Sequence, residues 1–90
     1  MSRKLKIDTG GEKFGPYSPG ISVKDHIWLS GQIDVDAGDE IESQTIGTLA
    51  KIDDLLATAN SSKADLVKVT ILMTDIDYYG KINDIYGEWL

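Results

Sequence analysis

The residues best suited to chemistry lie at 28–33, Trp-Leu-Ser-Gly-Gln-Ile. Ser30 offers a hydroxyl and Gly31 an unshielded backbone N–H, two groups that can hold a small polar ligand unaided. A glycine inside a strand costs stability and marks a bulge or a close approach of another backbone or a ligand. The stretch is therefore either a bulge at a sheet rim or the floor of a small-molecule pocket. Tyr17 is the second candidate. It sits in Phe-Gly-Pro-Tyr-Ser-Pro-Gly at 14–20, where two prolines fix φ and bias the residue before each to extended conformations. Such a stiff loop either presents the Tyr17 hydroxyl to a ligand or packs Phe14 and Tyr17 inward as a turn.

Other chemistries find less support. His26, the single histidine, falls at an expected turn, and no nucleophile-elbow motif accompanies it to make a Ser-His-Asp site. It reads as an exposed turn residue. The acid-rich stretch 34–42 crowds carboxylates as a calcium loop would. Its glycine comes one place early, and Thr45 stands where the bidentate glutamate belongs. There is no cysteine, which excludes disulfides, zinc-thiolate centres and thiol catalysis. No metal or other cofactor is expected. Asn83 follows the apolar Ile82 at the edge of a helical stripe, and is either a surface amide or a pocket amide.

These groups must be positioned by a small scaffold. Ninety residues with 41% hydrophobic content make one domain, 1–90, and a chain this short buries only about 60% of its unfolded surface. Residues 4–8 alternate as an edge strand, 9–15 read as a loop, and 21–33 read as a hairpin turning at 24–26. A helix is expected over 40–59, with Asp39 as N-cap, Glu42 three residues on, and Ile46, Leu49, Ile52 or Asp53, Leu56 and Ala59 as its apolar stripe. Asn60-Ser61-Ser62 ends it. Residues 66–74 alternate cleanly, and Val67, Val69, Ile71 and Met73 form a face expected to lie under the helices. Asp75 caps a second helix with Tyr79, Ile82, Ile85 or Tyr86, and Trp89 as its stripe. The class is α+β, with two helices on one face of a sheet and a second face left for oligomerisation to cover.

The net charge of −6 argues against a phosphate-backbone partner, so no nucleic acid is expected. The basic start, Ser-Arg-Lys-Leu-Lys, leads into no apolar signal segment, and no apolar run reaches membrane-spanning length. A cytoplasmic location with no membrane partner is the expectation.

Five blocks stand together in a recognisable order: 14–20 and 28–33 as above, Asp-Glu-Ile-Glu-Ser-Gln-Thr at 39–45, Asp-Leu-Val-Lys-Val-Thr-Ile-Leu-Met-Thr-Asp at 65–75, and Asn83 with Ile-Tyr-Gly-Glu-Trp at 85–89. In this the chain resembles the RidA/YjgF family of enamine/imine deaminases, also called the endoribonuclease L-PSP family. The resemblance covers nearly the whole chain. It implies a chorismate-mutase-like fold, a homotrimer with a pocket between neighbouring subunits, and hydrolysis of 2-imino acids to 2-keto acids and ammonia. It assigns Tyr17, Ser30, the Gly31 backbone and Asn83 to substrate binding and leaves the catalytic group unassigned. An imine carbon is already electrophilic, so a positioned water and a proton donor suffice.

The chain also departs from the family pattern. The arginine that grips the substrate carboxylate and the glutamate of a final strand have no counterpart within these residues, and Asp34 replaces a common proline. The turn Gly-Glu-Trp-Leu at 87–90 puts an acid at the negative end of a helix with no cap beyond, so the fold is expected to lack its C-terminal strands. The alternative to the deaminase is a non-catalytic trimeric module binding a small carboxylate or a protein partner. A third reading, an endoribonuclease that inhibits translation, rests on the family label alone.

Overall fold

A computed structural model describes residues 4–10 and 18–90. Three short strands, β1 (Lys4–Ile7), β2 (Gly20–Val23) and β3 (His26–Leu29), form an antiparallel meander in the order β1-β2-β3. The register aligns Ile7, Gly20 and Leu29 in one row, and Lys6, Ile21 and Trp28 in the next. Side chains alternate across a pleated sheet, so these rows face opposite ways. A Cβ on Gly20 would come within 2.8 Å of Leu29 Cδ2 and 3.1 Å of Ile7 Cβ. The neighbouring side chains close over this position, and a larger residue there would have to push the end of Leu29 aside.

The hairpin is thus shorter than the expected 21–33, and 30–33 lie outside the ladder. Lys24 turns it with φ at 53°, a left-handed conformation unfavourable for a residue with a Cβ. The row bearing Ile7, only 3% exposed, faces the core. The opposite face carries Trp28, 67% exposed, with His26 stacked against it at 6.3 Å between ring centroids.

Two helices complete the α+β fold: α1 (Ile41–Thr58) and α2 (Tyr79–Trp89). Among the described residues the core is Ile7, Leu49, Leu55, Leu56 and Ile82. Leu49 and Leu56 fall on the expected stripe of α1, but Leu55 replaces Ile46, which is 58% exposed. The helix packs against α2, and its buried face turns to include Leu55.

The start of α1 also differs from expectation. Glu40 rather than Asp39 is the N-cap, and it makes no side-chain cap bond. Gln44 Nε2 instead donates to the Gly38 carbonyl at 2.7 Å, tying the preceding turn to the helix. The other end is closed as the Asn-Ser-Ser stretch suggests. Asn60 takes φ of 60°, while the Ser61 and Asn60 N–H groups donate to Leu56 and Ala57 at 2.8 and 3.0 Å. That is a Schellman motif with asparagine at the left-handed position.

Asp75 accepts from the Asp77 N–H at 2.9 Å, capping a 3-10 turn (Ile76–Tyr78) that leads into α2. Ile82 anchors α2 in the core. At the far end the Trp89 indole N–H donates to Asp53 on α1 at 2.8 Å, with the Lys63 ammonium 5.0 Å from the ring centroid. This is a cation–π contact that also fastens the connection between the helices.

The strand expected over 66–74 is the main correction. Among the described residues this segment has no sheet partner, and Val67 is 98% and Leu72 91% exposed. Only Val69 and Met73 of the expected inward face are half-buried. Alternation fixes which side chains share a face, but a strand exists only where another edge pairs with it. The chain is correspondingly extended, with a radius of gyration of 13.8 Å against about 12 Å for a compact domain of its length. Among the described residues no helix is long and apolar enough to cross a membrane.

Candidate functional site

The Ser30-Gly31-Gln32 stretch leaves the sheet at the end of β3 and is fastened at both ends. Ser30 donates twice to the Pro19 carbonyl, from its N–H at 2.9 Å and from Oγ at 3.1 Å. Gln32 Nε2 in turn donates to the Ser30 carbonyl at 3.2 Å and to Oγ at 3.1 Å. The hydroxyl has spent its proton on Pro19 and one lone pair on Gln32, leaving one lone pair to offer. Ser30 is therefore a strut between β3 and the residues entering β2. Replacing it with alanine removes both contacts, at about 1 kcal/mol each. Ser30→Ala is expected to lower the melting temperature by roughly 10 °C, read by circular dichroism; an unchanged transition would show that the strut carries no load.

Gly31 differs in kind. It is exposed, and its φ lies outside the left-handed region. A Cβ built on it meets nothing within 4 Å among the described residues. Neither conformation nor packing there requires a glycine, whereas Gly20 is held by contact. Its N–H also has no partner among the described residues. A bare donor on a fastened backbone can receive an acceptor from outside the protomer.

Beyond Gln32 the chain is clamped to α1. Lys51 Nζ donates to the Ile33 carbonyl at 2.8 Å and lies 3.8 Å from the Asp34 carboxylate. That carboxylate also accepts from the Asp36 N–H at 3.3 Å, capping the 3-10 turn Val35–Ala37. A Cβ on Gly47 would overlap the Asp34 carboxylate. Gly47 and Lys51, one turn apart, thus share the α1 face that receives Asp34. The sequence reading missed this group. The available signal was a glycine inside a helix, which costs about 1 kcal/mol relative to alanine and needs a reason.

The other candidates join no hydrogen-bonded group with Ser30 or Gly31 among the described residues. Asn83 is exposed on α2, beside the buried Ile82, and has no hydrogen bond to Ser30 or Gly31 within the protomer. His26 stands on the outer sheet face against Trp28, and the Ser30 hydroxyl is bonded elsewhere, so the two form no nucleophile–base pair. Tyr17, two residues before Pro19 in sequence, lies outside the described residues, as does Phe14.

Residues 11–90 match the family model described as Endoribonuclease L-PSP. A RutC family protein of Pyrococcus abyssi is 36% identical over 81 residues, covering 83% of this chain and 64% of the relative's length. A candidate endoribonuclease L-PSP from Entamoeba histolytica superposes with a TM-score of 0.90 at 32% identity, over 97% of this chain and 76% of that one. A Rid-family protein of unknown function from Yersinia pestis does so at 0.87 and 37% identity, over 97% and 75%. The chain thus spans about two thirds to three quarters of these proteins' lengths.

Proposed function

Because the chain belongs to the endoribonuclease L-PSP family, we propose that it is a cytoplasmic hydrolase of reactive 2-imino acids. Its products are the 2-keto acid and ammonia, and its site is shared between copies in a homotrimer. Water adds through oxygen to the imine carbon while the nitrogen takes a proton. The resulting carbinolamine passes its hydroxyl proton to nitrogen, the oxygen pair closes the C=O as the C–N bond breaks, and the 2-keto acid and ammonia leave. The Gly31 N–H is a donor for the substrate carboxylate, since hydrogen bonds to a charged acceptor are the stronger ones. The observation that carries this reading is that N–H, which has no partner among the described residues, on a glycine that neither its own conformation nor the described packing requires.

Sharing the site between copies is supported by the outer sheet face, where Trp28 stands 67% exposed, and by a core of few buried side chains. Adding the protein to an amino acid dehydratase reaction is expected to accelerate keto-acid release. No acceleration by a sample verified as trimeric would sink the proposal.

Tyr17 completes the binding set with Asn83 in this reading. Tyr17→Phe is expected to keep the fold and weaken ligand binding by the value of one hydrogen bond, about 0.5–1.5 kcal/mol or more to a charged partner. A large fall in melting temperature with affinity unchanged would make Tyr17 a core residue instead.

A second reading is favoured by the engagement of the Ser30 hydroxyl, which has no proton left to give. In it the protein binds small carboxylates without turning them over. Calorimetry with 2-ketobutyrate separates the two: binding without imine hydrolysis selects the second.

A further inference from the structure

We propose that Lys51 and Asp34 are positioning residues that fix the Gly31 N–H by clamping the backbone beyond it to α1. The proposal rests on the reading of Gly31 as the donor to a ligand carboxylate. Between the two fastened points, Ser30 on Pro19 and the Ile33 carbonyl on Lys51, only Gly31 and Gln32 intervene. Glycine has the widest backbone freedom of any residue, so an N–H on glycine keeps one aim only if both flanks are held. The Ser30 flank is held by its two bonds to the Pro19 carbonyl, just beyond the β2–β3 ladder. The Ile33 flank is held by one ammonium reaching out from a regular helix, 2.8 Å from the carbonyl.

Asp34 completes the clamp. Its side chain is 18% exposed against 39% for Lys51, it faces the ammonium at 3.8 Å, and it occupies the room that Gly47 leaves on the helix. A helix gives up stability to carry glycine in its interior. Here that concession lets the acid approach closely and keeps the lysine over Ile33. Lys51 touches no ligand; it acts through the 31–33 backbone.

The test uses the intact chain and 2-ketobutyrate as probe. Lys51→Met is expected to lower the amide order parameter of Gly31 in the unliganded protein and to weaken 2-ketobutyrate binding about tenfold, the scale of one hydrogen bond to a charged acceptor. Lys51→Arg is expected to recover most of both. Gly47→Ala provides a second handle. Alone it should loosen Gly31 by displacing Asp34, and combined with Asp34→Ala it should cause no further loosening, a non-additivity expected only of groups in contact.

An unchanged Gly31 order parameter in Lys51→Met, or effects of Gly47→Ala and Asp34→Ala that simply add, would overturn the clamp. Failure of the wild type to bind 2-ketobutyrate would instead overturn the reading of the ligand, while Gly31 mobility would still decide the clamp.

Discussion

If the protein assembles as the proposed trimer, Trp28→Lys is expected to leave it monomeric at micromolar concentrations. The indole stands on the outer sheet face, in register with Ile21, and is 67% exposed within the protomer. Its one described ring contact is His26. Large aromatics with that exposure are the side chains that anchor interfaces when a neighbour closes over them. An ammonium there meets the neighbour without a partner, and an uncompensated buried charge costs about 3–5 kcal/mol. Each contact then weakens by more than a hundredfold. The substituted protomer should unfold at the same temperature as a wild-type monomer, because the core lies on the opposite face. A wild type that sediments as monomer would end the trimer reading; a Trp28→Lys variant that stays trimeric would move the interface elsewhere.

Ile82→Ala is expected to have the largest effect on folding. Ile82 is 5% exposed and is the buried residue through which α2 joins a core that, among the described residues, is otherwise made of Ile7, Leu49, Leu55 and Leu56. Truncating a buried isoleucine to alanine costs about 2–5 kcal/mol. At roughly 4–8 °C per kcal/mol for a domain of this size, the melting temperature should fall by about 10 °C or considerably further. The Trp89–Asp53 hydrogen bond remains to hold the far end of α2, but a single bond of that kind contributes about 1 kcal/mol. The neighbouring Asn83 would lose its fixed place along with the helix. A melting curve within a few degrees of wild type would show that α2 is held by something other than Ile82.

The sequence exposed the elements whose signal is local. The turn at Lys24, the three-to-four spacing of Leu49 and Leu56, and the Asn-Ser-Ser stop after α1 each depend on residues within a few positions, and each is found in place. Residues 66–74 failed as a strand for the opposite reason. Their alternation is clear, yet pairing needs a second edge that no local pattern supplies.

The candidate site divides in the same way. That Ser30 and Gly31 are unusual in a strand could be read directly. That the Ser30 hydroxyl turns to Pro19 and Gln32 depends on a contact eleven residues back in the chain. The Lys51 bond to Ile33 spans eighteen residues and was equally out of reach. In sequence Asp34 stands out only as the first acid of 34–42 and as a replaced proline, whereas its partners Lys51 and Gly47 lie on a helix later in the chain.

The two tryptophans stand in different layers, and this makes the protein its own pair of fluorescent probes. Trp28 is open to solvent on the sheet, so its emission should be red and readily quenched by iodide. Trp89 is half-buried between the helices, with its N–H on Asp53 and Lys63 beside its ring, so its emission should be bluer and shielded. Docking of another copy on the sheet would shift the Trp28 component alone. Fraying of α2 would shift the Trp89 component alone. With Trp28→Phe and Trp89→Phe assigning the two bands, one titration would follow assembly and helix undocking as separate colours.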